Sequence, residues 1–263
     1  MARVEFDEAT AVTAAGPGRY RGVVDDSWRV LRGPNGGYLA AIILRALTQE
    51  VADPRRSPRS LTVHYLAAPE PGPVELTVVV ERTGRSLASL SARLLQDAKL
   101  VALGLAAFSS PWPGPELVEA TMPEVPSYEQ TAPAEALDGP PFRAHFEQRP
   151  VIGAPPLSGA DSSVSGGWIR LRGDVPVDHL VVAALTDAWL PTVFTRLTTP
   201  VTAPTIDLTV HFRSPPPLRP EPCLVVFRSW MTTEGFFDEE GEVWSQDGDL
   251  LAQSRQLALV RAV

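Results

Sequence analysis

The pentapeptide Leu61-Thr62-Val63-His64-Tyr65 returns as Leu208-Thr209-Val210-His211-Phe212, changed only by a ring hydroxyl. If its surroundings repeat too, the chain is two units on one plan, and few folds satisfy that. They do repeat. Residues 36–51, GGYLAAIILRALTQEV, precede the first copy and read as a buried, nearly all-apolar helix closed by the Pro-rich turn ADPRRSPR. Residues 178–197, DHLVVAALTDAWLPTVFTRL, precede the second and read as another mostly apolar helix, followed by TTPVTAPT. After each pentapeptide come a Pro-rich turn, a strand, a second strand ending at Gln-Asp, a tight turn and a final strand. The Gln-Asp pairs, Gln96-Asp97 and Gln246-Asp247, lie 35 and 38 residues beyond Leu61 and Leu208.

Each copy therefore reads as a helix followed by antiparallel strands, an α+β pattern. The helix is too apolar for a surface, so the sheet is expected to wrap around it. Upstream strand candidates are VEFDEATAV and GRYRGVVDDSWRV in the first copy, FRAHFEQRPVI and GGWIRLRGDVPV in the second. The predicted division is 1–112, a Pro-, Glu- and Ala-rich linker over 113–140, and 141–263.

Composition narrows the function. The 263 residues carry a formal charge of −8, which argues against nucleic acid as the partner. Cys223 is the only cysteine, which suits a reducing compartment, and the start MARVEFDEATAV lacks the pattern of a signal peptide. The longest apolar stretch, around Tyr38–Leu47, is interrupted by Arg45, so no membrane span is expected and a cytoplasmic protein is. No dinucleotide, Walker or nucleophile-elbow spacing occurs, and the four histidines and one cysteine are not at metal-ligand spacing, so neither metal nor cofactor is expected. His64 and His211 read as strand histidines bonded to a neighbour.

Three polar residues stand out. Asp187 interrupts LVVAALTDAWL; burial there would raise its pKa toward that of a general base, or it caps a helical turn starting at Ala188. Gln256 shares a strand face with Ala252, Ser254, Ala258 and Val260, where an amide needs a partner; the first copy has small apolar residues there, near Ala106. Thr205 opens the strand TIDLTVHF.

At these residues the chain resembles the acyl-CoA thioesterase II family, two hotdog domains in one chain, each a long helix wrapped by a curved antiparallel sheet. The resemblance spans nearly the whole chain. It rests on GPNGGYLAA and ERTGRSLASLSARLLQDAKLVA in the first copy, and on LTDAWLP, TIDLTVHFR and WSQDGDLLAQSRQLALVR in the second. The HFRSPP segment resembles an actinobacterial-style branch. The resemblance implies an active site of Asp187, Thr205 and Gln256, and an acyl-CoA substrate hydrolysed to acid and CoA. In that reading Asp187 is the base, Thr205 and Gln256 fix the water, and backbone N–H groups of Gly36, Gly37 and Tyr38 meet the oxyanion, unless the glycines simply make a tight helix entry. Arg85, with Arg55, Arg56, Arg59 and Arg82, is a candidate for the CoA phosphates. The expected assembly is a homo-oligomer, a dimer of double hotdogs. Two other readings are a non-catalytic acyl-CoA or lipid binder, and a hotdog enoyl-CoA hydratase, for which His179 is the nearest histidine to Asp187.

Overall fold

A computed structural model describes residues 5–134 and 139–262. The first helix, α1 (Gly36–Val51), starts where the Asn35 side chain accepts from Tyr38 N–H and ends where Ala52 turns left-handed at φ 48°. Ten of its sixteen residues are buried, from Gly37 to Leu47. The first-copy strands are β1 (Val12–Gly16), β2 (Arg19–Val24), β3 (Ser57–Tyr65), β4 (Gly72–Thr83), β5 (Leu87–Gln96) and β6 (Lys99–Ser109). Those of the second copy are β7 (Phe146–Gly153), β8 (Val164–Leu171), β9 (Thr205–Phe212), β10 (Cys223–Arg228), β11 (Phe236–Trp244) and β12 (Leu250–Leu259).

These twelve form one antiparallel sheet in the order β1-β2-β4-β5-β6-β3-β9-β12-β11-β10-β8-β7, with the short strand Thr232–Thr233 beside β11. The order reads the same from either end once each strand is exchanged for its counterpart. The axis of that symmetry runs through the repeated pentapeptides. In the β3–β9 pairing Thr62 faces Thr209, while Leu61 faces Val210 and Val63 faces Leu208. The two threonine hydroxyls bond at 3.0 Å. Even the irregularities repeat, with register shifts between Pro58 and Ser60 and between Thr205 and Asp207. Each half is a hotdog, and the chain is a double hotdog.

The second helix departs from its expected length. α2 covers only His179–Leu185, capped by Asp178, which accepts from Leu180 and Val181 N–H. Thr186 then bonds back to Ala183 O, and the chain turns through Asp187 before a short helix at Val193–Arg196. Asp187 N–H and Ala188 N–H bond only three residues back, to Ala184 O and Leu185 O, so the helix tightens and ends here, and Pro191 keeps it from resuming. In the VEFDEATAV stretch Val4 lies outside the described part, Phe6–Ala9 forms a helical turn rather than a strand, and Val12 opens β1. Phe6 and Ala9, three apart, share its buried side. Before its undescribed residues 135–138, the linker has no helix or strand apart from a helical turn at Tyr128–Gln130. Arg149 clamps it by donating to Tyr128 O and Thr131 O.

Candidate active site

The N-terminal end of α1 meets the C-terminal end of α2, and the glycines of GPNGGY allow it. A Cβ on Gly37 would sit 2.5 Å from Ala184 O, and one on Gly36 would sit 2.9 Å from the Asp187 carboxylate. Asp187 leaves its own helix at the turn and caps the other copy's helix. Its Oδ2 accepts from Gly37 N–H at 2.9 Å and from Asn35 Nδ2 at 3.0 Å; Asn35 Nδ2 also donates to Asp187 O at 2.7 Å. Asn35 thus joins the halves while its Oδ1 caps α1 through Tyr38 N–H. Burial pushes the Asp187 carboxyl up to about 6, against the pull of the Gly37, Gly36 and Asn35 donors. The residue stays partly accessible to solvent. It is not the cap of a turn at Ala188; the cap it makes is across the boundary between copies.

Beside it stands a polar ladder in an apolar setting. The Thr205 hydroxyl donates to Gln256 Oε1 at 3.1 Å, and Gln256 Nε2 donates to Glu239 Oε1 at 2.8 Å. Glu239 Oε2 accepts from Thr192 N–H at 2.6 Å. Gln256 and Glu239 are opposite one another on β12 and β11, both buried. Burial pushes Glu239 up to about 7; Thr192 and Gln256 pull it down, and the Asp187 charge raises it further. Tyr65, which by the β3–β9 register lies next to the start of β9, donates to Gly36 O at 2.8 Å. Asp187 and the Thr205–Gln256 pair therefore share one neighbourhood, joined by Gly36, Tyr65 and Glu239.

Sequence reasoning missed Glu239 and Asn35. Glu239 hides in FFDEEGEVW, where three acids in a row read as a solvated face. Period-two alternation was the available signal, since it places Glu239 with the buried Phe237, Gly241 and Val243. Asn35 was legible as a helix cap but not as a partner of residue 187.

The other predicted residues fare differently. Tyr38 N–H is taken by Asn35, and the Tyr38 hydroxyl donates to Ala9 O at 2.8 Å with its ring fully buried, so Tyr38 offers a ligand no donor in this arrangement. Gly36 and Gly37 N–H serve Asp187. Arg85 is exposed, and its carbonyl receives Arg56 at the Ser57 end of β3, so it stands about 26 Å from the Tyr65 end and outside the cluster. Arg56 also bonds Gly84 O, and Arg55 and Arg56 both pair with Asp53, so these arginines hold turns together. His179 packs edge-on against Phe212, 5.4 Å between ring centres, at the start of α2 and about 9 Å of helix from Leu185, so it stands at the opposite end from Asp187. An Asp–His hydratase pair is not formed. The described cavities, about 210 Å³ at Arg19–Arg21 and about 180 Å³ at Trp28 and His145, lie away from this cluster.

The comparisons with known proteins agree with this layout. Residues 24–109 match the family model of the acyl-CoA thioesterase N-terminal domain, and residues 121–260 that of the acyl-CoA thioesterase C-terminal domain. The chain belongs to the acyl-CoA thioesterase family. A hot dog fold protein of unknown function from Alicyclobacillus acidocaldarius is 31% identical over 100% of both chains, with a TM-score of 0.91. The acyl-CoA thioesterase II of Mycobacterium marinum is 21% identical over 98% of this chain and 99% of its own, with a TM-score of 0.80; that likeness speaks for the fold. An uncharacterized protein of Mycobacterium tuberculosis is 25% identical over 92% of this chain and 91% of its own. Among the described residues no helix is long and apolar enough to cross a membrane.

Proposed function

We propose that this thioesterase-family chain hydrolyses acyl-CoA thioesters at the Asp187 cluster, giving a carboxylic acid and CoA. The observation that carries the reading is the seat of Asp187: a partly accessible carboxylate, pushed to about 6, held on the N-terminus of the opposite helix and next to the Thr205–Gln256 pair. A base with a pKa near 6 is ionised at neutral pH and still takes a proton usefully. Thr205 and Gln256 place the attacking water. With Oδ2 engaged by Asn35 and Gly37, Oδ1 takes the water proton as oxygen attacks the thioester carbon. Negative charge then leaves Asp187 and appears on the tetrahedral oxyanion. The oxyanion forms at the positive end of the α1 dipole, beside Gly36 and Gly37, so the α1 terminus stabilises the charge before and after transfer. Collapse expels the CoA thiolate, which takes the proton back from Asp187.

The test is thiol release from a panel of acyl-CoAs, short to long, branched and aromatic, by wild type and Asp187→Ala, with a no-substrate blank. The expected result is turnover that disappears in the variant. Equal rates in both would remove Asp187 from the chemistry, and no turnover with any donor would overturn the reading.

A further inference from the structure

Glu239 is the one buried carboxylate of this cluster that the hydrolysis above does not use. It is 4% exposed, and among the described residues no cation pairs with it; the neighbouring Asp238 and Glu240 both face Arg255 instead. An unpaired buried acid is costly, and the fold does not require one here. Leu208 faces Gln256, which faces Glu239; in the first copy Leu61 faces Ala106, which faces Leu90. The same place in the same fold is thus filled by Leu90 and Ala106 in one half and by Glu239 and Gln256 in the other. The costly pair stands only in the half that carries Thr205, and beside Asp187.

The bonding explains what the acid does. An amide can present either end to Thr205. Glu239 accepts with both oxygens, one from Thr192 N–H and one from Gln256 Nε2, and so selects one end. We propose that Glu239 is a positioning residue for thioester hydrolysis: it locks the Gln256 amide with Nε2 inward, so that Oε1 takes the Thr205 hydrogen and Thr205 Oγ turns a lone pair to the attacking water. The proposal rests on the Asp187 reading. Glu239→Gln breaks the lock with almost no change in volume. A glutamine has one acceptor end; if that stays on Thr192 N–H, its NH₂ meets Gln256 Nε2, and the Gln256 amide must rotate half a turn. Thr205 then has to accept from Gln256 and can no longer receive the water's hydrogen in the same geometry.

Glu239→Gln is expected to lower kcat/KM about tenfold to a hundredfold. Made in a Gln256→Ala background it lowers the rate no further, because the residue acts through that amide. The pH profile supplies a readout that a packing role would not move. Glu239 faces Asp187 from β11, and Tyr65 faces the same carboxylate from β3, under the charges of Asp187 and Asp207. Glu239 ionises at about 7, after Asp187, so the ascending limb of kcat/KM carries a second inflection there that Glu239→Gln removes. Unchanged rate and unchanged limb in Glu239→Gln, with Asp187→Ala inactive, would sink this proposal and leave the Asp187 base standing. Activity persisting in Asp187→Ala would sink the base instead. If Glu239→Gln does not fold, Glu239→Leu with Gln256→Ala copies the Leu90–Ala106 pair; wild-type turnover in that variant overturns the positioning role. If wild type hydrolyses nothing, protein labelled with ¹⁵N-glutamine decides. Gln256 side-chain signals that titrate in wild type and stay still in Glu239→Gln support the lock, and signals that never move refute it.

Discussion

Replacing Asp187 by Asn is expected to silence the enzyme and make it more stable. The amide keeps an oxygen for Gly37 N–H and Asn35 Nδ2, so the seam between helices survives, but it cannot take a proton. Loss of a general base costs about 10²–10⁴ in turnover. Stability moves the other way. Asp187 titrates near 3.8 in an unfolded chain and near 6 in the fold, so the folded protein binds its proton more tightly. A raised carboxyl leaves stability untouched below the unfolded value and lowers it as pH rises through the folded one. A rise of that size corresponds to about 3 kcal/mol, an upper figure because the carboxylate keeps some contact with water. The neutral amide of Asp187→Asn carries no such penalty. Thermal unfolding at pH 7.5 should therefore show the variant several degrees above wild type, and at pH 3.5 the gap should close. Thiol release on the same samples gives the activity. A variant that loses stability equally at both pH values would refute the electrostatic argument and make the carboxylate a structural cap; one that retains turnover would refute the base.

Three further outcomes follow from the same geometry. Gly37→Ala drives a Cβ to 2.5 Å from Ala184 O, and about 1–3 kcal/mol of stability together with most activity should be lost, read by unfolding and turnover. Asn35→Ala removes the α1 cap and a donor that lowers Asp187; melting should show a loss of about 1 kcal/mol, and the ascending limb of the rate profile should move to higher pH. Cys223 is fully buried, and burial pushes its thiol well up, so a thiol dye should leave it unlabelled in the native protein and react only after denaturant is added.

The fold was more legible than the site. Period-two and helical patterning acts locally, and a duplication shows each pattern twice, so the buried helix at Gly36–Val51 and the strands about both pentapeptides could be read from order and spacing. What sequence could not display was contact across the boundary. Asp187 reads as a polar break in an apolar helix, because the N–H groups that receive it belong to residues 150 positions away. Glu239 reads as one acid among three because its partner is on the next strand. Arg85 stands apart from the cluster for the complementary reason: its glycine turn lies at the far end of β3, held by Arg56, a placement that spacing along the chain does not reveal.

The Thr62–Thr209 seam has a consequence for dilution. A site whose base comes from one half and whose seat comes from the other would, in two separate chains, exist only at concentrations that keep the halves together. Joining them by the segment after Ser109 makes that encounter intramolecular, at an effective concentration on the order of millimolar set by the tether rather than by the amount of protein present. The joined chain also escapes the rule that identical subunits must change together. Leu90 and Ala106 could stay apolar while Glu239 and Gln256 became polar, so one proposed site is specialised at full occupancy instead of two being kept alike.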